Sequence, residues 1–225
     1  MHVAIDENTE ITHHGQLGVA LHERGAQIEI FRPWQDGNLP PHGAHDALGA
    51  HDALVAFGGA QSALSDDTHP DLPALARLMQ ATGASGRAVL GICLGAQNQI
   101  GGAEEFGWQQ VETLSDDPVL RPLPPSFPIF EWHSDTFSLP PGSTHLATSP
   151  KSGVQCFRIY RATYGMQFHF EANRSVVADW KALFGPDLDR MAPGWRANHT
   201  RHDATLGAAA DAHGLAIARA WVDLI

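Results

Sequence analysis

Cys93 ends an apolar run in the stretch VLGICLGAQ (89–97), with Gly91 two residues before it and Gly95 two residues after it. A cysteine between a strand and a helix, in a turn of small residues, has the layout of a nucleophile elbow. Such a turn strains the backbone of its central residue. The free N–H groups of a helix beginning near Leu94 would favour a thiolate and a developing oxyanion. The competing reading is a core residue, since free cysteine is among the most buried residue types. The flanking glycines and the strand ending favour the nucleophile. A thiolate needs a base, and the base needs an orienting group. Fourteen histidines make chance matches easy. YGMQFHFE (164–171) nevertheless stands out, because on a strand alternate side chains share a face. His169 and Glu171 would then point the same way, with carboxylate against imidazole. The competing reading for them is a solvated strand face.

These residues need a scaffold. HVAI (2–5) reads as a buried strand, 14–25 as a helix with Leu17, Ala20, Leu21 and Arg24 at helical spacing and Gly25 as its stop, and 27–31 as a strand. A third strand covers 52–59, a helix 72–83 and a fourth strand 88–92. Strands alternating with helices predict a parallel sheet with right-handed crossovers and helices on both faces. Such a sheet binds ligands at the carboxyl ends of its strands. After Glu105 strand signals crowd together (108–114, 127–133, 144–149, 154–159, 164–170) and predict an antiparallel or mixed edge. Residues 175–185 and 206–225 read as C-terminal helices. No Pro-, Gly- or Ser-rich linker divides the chain, so one domain over 1–225 is expected. AHDAL occurs at 44–48 and again at 50–54, a local duplication rather than a repeat architecture.

The chain has 225 residues, 14 Lys plus Arg, 25 Asp plus Glu and a formal net charge of −11. That surface argues against nucleic acid and anionic membranes as partners. Two cysteines, Cys93 and Cys156, make no disulfide framework, and no leader or membrane span is legible, so a cytoplasmic protein is expected. Cys156 reads as core. His42, His45 and His51 lie without cysteine at zinc spacing and read as solvated loop histidines. SDDTHPD (65–71) lacks the calcium-loop spacing and reads as a turn capping the next helix.

Taken together, the motifs resemble the class I glutamine amidotransferases. GICLGAQ, with GMQFHFE placing His169 76 residues after Cys93, is similar to that family's cysteine and histidine-glutamate segments. FGGAQS (57–62) matches its Gly-Gly oxyanion strand, and EWHSDTFSLPPG (131–142) its Trp-His-Gly-Asp segment in stand-alone, GMP-synthetase-like members. The resemblance implies a three-layer α/β, flavodoxin-like fold with an open sheet, mostly parallel, carrying antiparallel edge strands. It implies Cys93 as nucleophile, His169 as base and acid, and Glu171 as its orienting group. The N–H groups of Gly59 and Leu94 would form the oxyanion hole, and Gln97, His133, Ser134 and Asp135 would contact substrate, with His13 and His14 near it. The substrate would be glutamine or a small γ-glutamyl amide, with no cofactor and no metal. A synthetase acting in trans is an expected partner, and a homodimer stays open.

Three departures from the family pattern matter. Phe170 stands where proline is usual, so a fixed φ is lost. Ala96 replaces a frequent histidine. The stretch after Gln97 is about ten residues shorter than in relatives, by the same resemblance. Three functions therefore compete: a glutaminase subunit serving a synthetase, a self-sufficient γ-glutamyl hydrolase, and a catalytically weak binding or regulatory protein that keeps the fold.

Overall fold

The computed structural model describes residues 1–41, 49–59, 61–62, 65–96 and 104–225. Among these residues nine strands form one sheet: β1 (His2–Asp6), β2 (Gln27–Phe31), β3 (Ala53–Ala56), β4 (Ala88–Ile92), β5 (Glu105–Thr113), β6 (Ser126–His133), β7 (Thr144–Thr148), β8 (Cys156–Ile159) and β9 (Thr163–Met166). Their spatial order is β2-β1-β3-β4-β9-β8-β7-β5-β6. The pairings from β2 to β9 are parallel, with Val3 opposite Ala53 and Leu54 opposite Val89. Those from β9 to β6 are antiparallel, with Phe157 opposite Gly165 and Glu105 opposite His133. The sheet is mixed, as the sequence predicts, and its antiparallel part is as large as its parallel part.

β1, β3, β4 and β9 are short and almost wholly buried because both of their faces are covered, whereas the edge strand β2 is mostly exposed. Val3, Ile5, Ala53, Val55, Leu90 and Ile92 point into a core shared with α1 (Gly15–Glu23), whose Leu17, Ala20 and Leu21 are buried, and with the C-terminal helix. Ala4 and Leu54, one residue out of phase, point the other way against Leu78, as a period of two requires. Leu78 belongs to the helix at Asp71–Ala84, here α3; the short helix at Pro33–Asp36 is α2. Residues 65–69 form the expected turn before α3, but its N-cap is Pro70 and no side chain caps it.

The antiparallel half has its own core. Phe106, Trp108 and Phe130 pack against Val176, Val177, Trp180, Leu188 and Trp195. These come from α4 (Arg174–Leu183), α5 (Gly185–Met191) and α6 (Trp195–His202). Of the three helices, only α4 is foreshadowed by the sequence. A π-helical turn at Asp203–Gly207 leads into α7 (Ala208–Val222), which packs Ile217, Ala218 and Trp221 into the first core. Cys156 is fully buried, as expected of a core cysteine. His51 is not solvated: it is buried, and its Nε2 lies 2.8 Å from Glu29 Oε2. His42 and His45, and the first AHDAL copy, lie outside the described residues. No helix among the described residues is long and apolar enough to cross a membrane.

Candidate active site

Cys93 follows β4 directly and begins a 3-10 turn, Cys93–Gly95. Its φ is +53° after an extended Ile92, the left-handed conformation that a non-glycine residue adopts only at a cost. Both elbow glycines are there for lack of space. A Cβ on Gly91 would overlap the Gly95 carbonyl, and one on Gly95 would lie 2.5 Å from the Ala56 carbonyl oxygen. The turn is thus clamped between its own backbone and β3. Gln97 lies outside the described residues, as does the short stretch after it.

His169 and Glu171 are not on a strand. β9 ends at Met166, and both residues lie in the turn that leads to α4. The backbone breaks away because the His169 N–H donates to the Phe130 carbonyl of β6 (2.8 Å) and the Glu171 carbonyl accepts from Gln16 (2.9 Å). The two side chains still meet: His169 Nδ1 is 2.7 Å from Glu171 Oε1. The other ring nitrogen is 3.4 Å from the Trp132 carbonyl oxygen. Cys93 Sγ approaches the same Trp132 carbonyl oxygen, at 3.8 Å, and Trp180 packs edge-on against the His169 ring at 5.3 Å between centroids. Burial disfavours the charged imidazole, but the Glu171 carboxylate and Cys93 outweigh it, so the His169 pKa is held well above its ordinary value. Phe170, at the unusual position, is 1% exposed and belongs to the main core.

Around Cys93 and His169 lies a cavity of about 460 Å³. Gly59, His133, Ser134 and Asp135 all line it, and so does His13. His14 turns instead to Glu7, with Nε2 2.8 Å from Oε1, and stacks on Phe57. Leu94 is buried beside Cys93. Gly58, the first glycine of the Gly-Gly segment, stands beside Cys93 and His169: a Cβ there would lie 3.2 Å from Cys93 Cβ and 3.5 Å from His169 Cε1. Sequence reasoning missed the outer wall of Trp180, Phe184, Asp187 and Arg190. Nothing local marks these residues, since α4 and α5 bring them in from a different part of the chain.

A second buried polar group adjoins the first. His133 Nε2 is 3.2 Å from Glu131 Oε2 and 3.4 Å from Glu105 Oε2, and all three residues are buried. Among the described residues this is the one His/Cys/Asp/Glu group whose potential metal-ligand atoms lie within 4.8 Å of one another. Glu131 and His133 are two apart on β6, the same period-two signal that singles out His169 and Glu171. Glu105 joins them through the cross-strand register.

No protein-family model matches the chain. A glutamine-hydrolyzing GMP synthase subunit from Ignicoccus hospitalis is 31% identical over 165 residues, which cover 68% of this chain and 80% of that protein. The glutamine-hydrolyzing GMP synthase of Thermomicrobium roseum is 32% identical over 157 residues, and the match spans only 28% of its length. Among solved structures, a glutamine amidotransferase from Thermotoga maritima superposes with a TM-score of 0.84 at 23% identity, covering 99% of this chain and 96% of that one. One from Methylobacillus flagellatus gives 0.81 at 21%, covering 99% and 94%. The chain belongs to the class I glutamine amidotransferases, as a GMP-synthetase-like domain with their flavodoxin-like α/β fold.

Proposed function

We propose that residues 1–225 form one domain that hydrolyses the side-chain amide of glutamine through a Cys93 thioester and delivers ammonia to a synthetase acting in trans. The observation that carries this reading is Cys93, His169 and Glu171 on one cavity, with His169 Nδ1 2.7 Å from Glu171 Oε1, Cys93 Sγ and His169 Nε2 both turned to the Trp132 carbonyl, and Cys93 strained at φ +53°. A nucleophile, a base and an orienter within reach of one another, beside space for a substrate, are what acyl transfer from an amide requires.

His169 takes the thiol proton, and the Cys93 sulfur attacks the amide carbon. The N–H groups of Gly59 and Leu94 receive the oxyanion. His169 then gives its proton to the departing nitrogen, the C–N bond breaks, and ammonia leaves a γ-glutamyl thioester. Water adds to that thioester as His169 accepts its proton, and the proton returns to sulfur as glutamate is released. Glu171 keeps Nδ1 protonated so that Nε2 is the nitrogen that exchanges protons. The segment His133, Ser134 and Asp135 lies near the amino-acid end of the substrate, and Gln97 contacts the substrate. The names of the Ignicoccus and Thermomicrobium relatives support glutamine as the amide and GMP formation as the partner's reaction.

A second reading has one specific observation behind it. The cavity is also lined by Trp132, Trp180 and Phe184, with Asp187 and Arg190 beside them, aromatic surface that ammonia does not need and that an amine substituent could use. A self-sufficient γ-glutamyl hydrolase would use it. Glutamate release from glutamine and from γ-glutamyl dipeptides, by the purified chain and by Cys93→Ala, separates the two. Cysteine-dependent turnover of glutamine alone supports the first reading, and preference for dipeptides supports the hydrolase. No release from any substrate, alone or with a GMP-forming synthetase added, would sink both and leave a binding protein.

A further inference from the structure

An oxyanion donor acts most strongly when it stands in place before charge develops. The segment that would supply one here is poorly suited to hold itself. Gly58 and Gly59 follow Phe57 just beyond the end of β3, and two glycines in a row have the widest backbone freedom a chain offers. The close approach of Gly58 to Cys93 and His169 leaves no room for a side chain that would stiffen it. The restraint has to come from another part of the molecule.

It comes from the loop after β1. Asn8 is 4% exposed, and its Nδ2 donates to the Phe57 carbonyl at 2.9 Å. A carbonyl only accepts, so the amide nitrogen is the atom that faces it. The Phe57 carbonyl and the Gly58 N–H share one planar peptide, and holding the oxygen fixes the plane from which the glycine pair starts. The far end of the pair is tied to the same residue. Gln61 Nε2 donates to the Asn8 backbone carbonyl at 3.3 Å, and the Gln61 side chain lies against Gly59, where a Cβ would overlap its Oε1. Asn8 thus grips the pair at both ends, while the Phe57 N–H donates to the Asp6 carbonyl at 3.0 Å and keeps β3 in step with β1. Stability alone is a weak account of this side chain. Asn8 Oδ1 is buried with no hydrogen-bond partner among the described residues, and its desolvation offsets much of what the single bond contributes. What the bond does secure is the orientation of a peptide beside Cys93.

We propose that Asn8 is a positioning residue that preorganises the Gly58–Gly59 segment to receive the oxyanion. The inference rests on Cys93 being the nucleophile and on the Gly59 N–H being an oxyanion donor, as proposed above. Asn8 does not line the cavity, whereas Phe57, Gly58, Gly59 and Gln61 do. It therefore acts through the backbone and touches no substrate.

Two alkylations of the same cysteine, followed by peptide mass, test this without requiring turnover. The chloromethyl ketone analogue of glutamine adds the thiolate to its carbonyl carbon, which places negative charge on oxygen. The carbonyl then re-forms as sulfur shifts to the methylene carbon and chloride leaves. Iodoacetamide loses iodide directly and develops no oxyanion. Asn8→Ala should slow labelling of Cys93 by the ketone about tenfold, a fraction of what deleting an oxyanion donor outright costs, and leave the iodoacetamide rate within about twofold. Cys156 is fully buried, so its alkylation reports unfolded molecules. If Asn8→Ala exposes it, Asn8→Ser removes the same donor with a smaller change, since its hydroxyl is one bond too short to reach Phe57. A folded variant with an unchanged ratio of the two rates overturns the proposal, and so does equal slowing by both reagents, which is the mark of a purely structural role. Failure of the ketone to label Cys93 in the unmodified chain would sink the nucleophile reading and this inference with it. Labelling there with an unchanged ratio in the variant sinks the inference alone.

Discussion

The two halves of the candidate site are held by different forces. Cys93 is placed by backbone: a parallel strand ends, two glycines allow a turn too tight for any side chain, and β3 closes against it. His169 and Glu171 are placed by polar side chains and aromatic packing, in a turn tied to β6 and α1 by single hydrogen bonds and braced by Trp180. The first arrangement is rigid and intolerant of added atoms. The second can lose one group and keep its shape. A covalent nucleophile needs fixed geometry, and a base that must accept and return a proton needs a tuned field. Each half supplies the property that the proposed chemistry needs.

The difference predicts different failures. Gly91→Ala should destabilise the chain by about 4 kcal/mol or more, because its Cβ would meet the Gly95 backbone rather than a side chain that can move. Urea unfolding would measure this, and a change below about 1 kcal/mol would show that the elbow is not clamped. Glu171→Gln should do the reverse. It should lower glutamate release about a hundredfold, equivalent to about 3 kcal/mol of barrier, and leave the fold intact. A loss under threefold, measured with glutamine in excess, would remove Glu171 from the orienting role.

Buried carboxylates sharpen the contrast further. In the antiparallel half, Glu105 and Glu131 share an imidazole. In the parallel half, Asp6 at the end of β1 is fully buried and neither oxygen has a hydrogen-bond partner among the described residues. Burial, reinforced by Asp71 and Glu7, pushes its pKa up to about 8. The folded state thus keeps a proton that the unfolded chain releases near its ordinary value of 3.8. Between those values the native state binds more protons, so this group makes stability fall as pH rises from about 4 to about 8. Asp6→Asn, which mimics the protonated acid, should leave the melting temperature unchanged at pH 4. At pH 8 it should stabilise by about 2 kcal/mol. Equal melting temperatures for the two proteins at pH 8 would mean that Asp6 finds compensation after all.

How legible each half is in the sequence follows from the same physics. β1 and β4 read directly as short apolar runs bounded by polar, glycine or turn residues, and β2 reads from its polar–apolar alternation. The elbow reads too, since its cause is local: the cysteine and its glycines lie within five residues. His169 and Glu171 are named correctly as a meeting pair for a reason the structure replaces, a turn rather than a strand face. What bends the chain there is the Phe130 carbonyl, and nothing within 164–171 announces it. α5 and α6 escape notice because their sequences, GPDLDRM and WRANHTRH, show no clean apolar stripe. They are held by a tryptophan cluster assembled from β5, β6 and α4. Glu105 joins His133 only once the β5–β6 register is known.

The smallest effect tests whether the second half depends on its helix. Asn173 is the N-cap of α4, and its side-chain oxygen accepts from the Val176 N–H at 3.1 Å. It stands two residues after Glu171, and α4 carries the Trp180 that packs on His169. Asn173→Ala should cost about 1 kcal/mol of stability, the usual worth of such a cap. If the base were held by the helix, that loss would also loosen Trp180 and lower turnover. The bonds that seat Glu171 argue otherwise, since its carbonyl accepts from Gln16 of α1 and its carboxylate meets His169 directly. Thermal melts should therefore shift by a few degrees while glutamate release per folded molecule stays within about twofold. A tenfold fall in turnover at matched folded fraction would move the support of the base from α1 to α4.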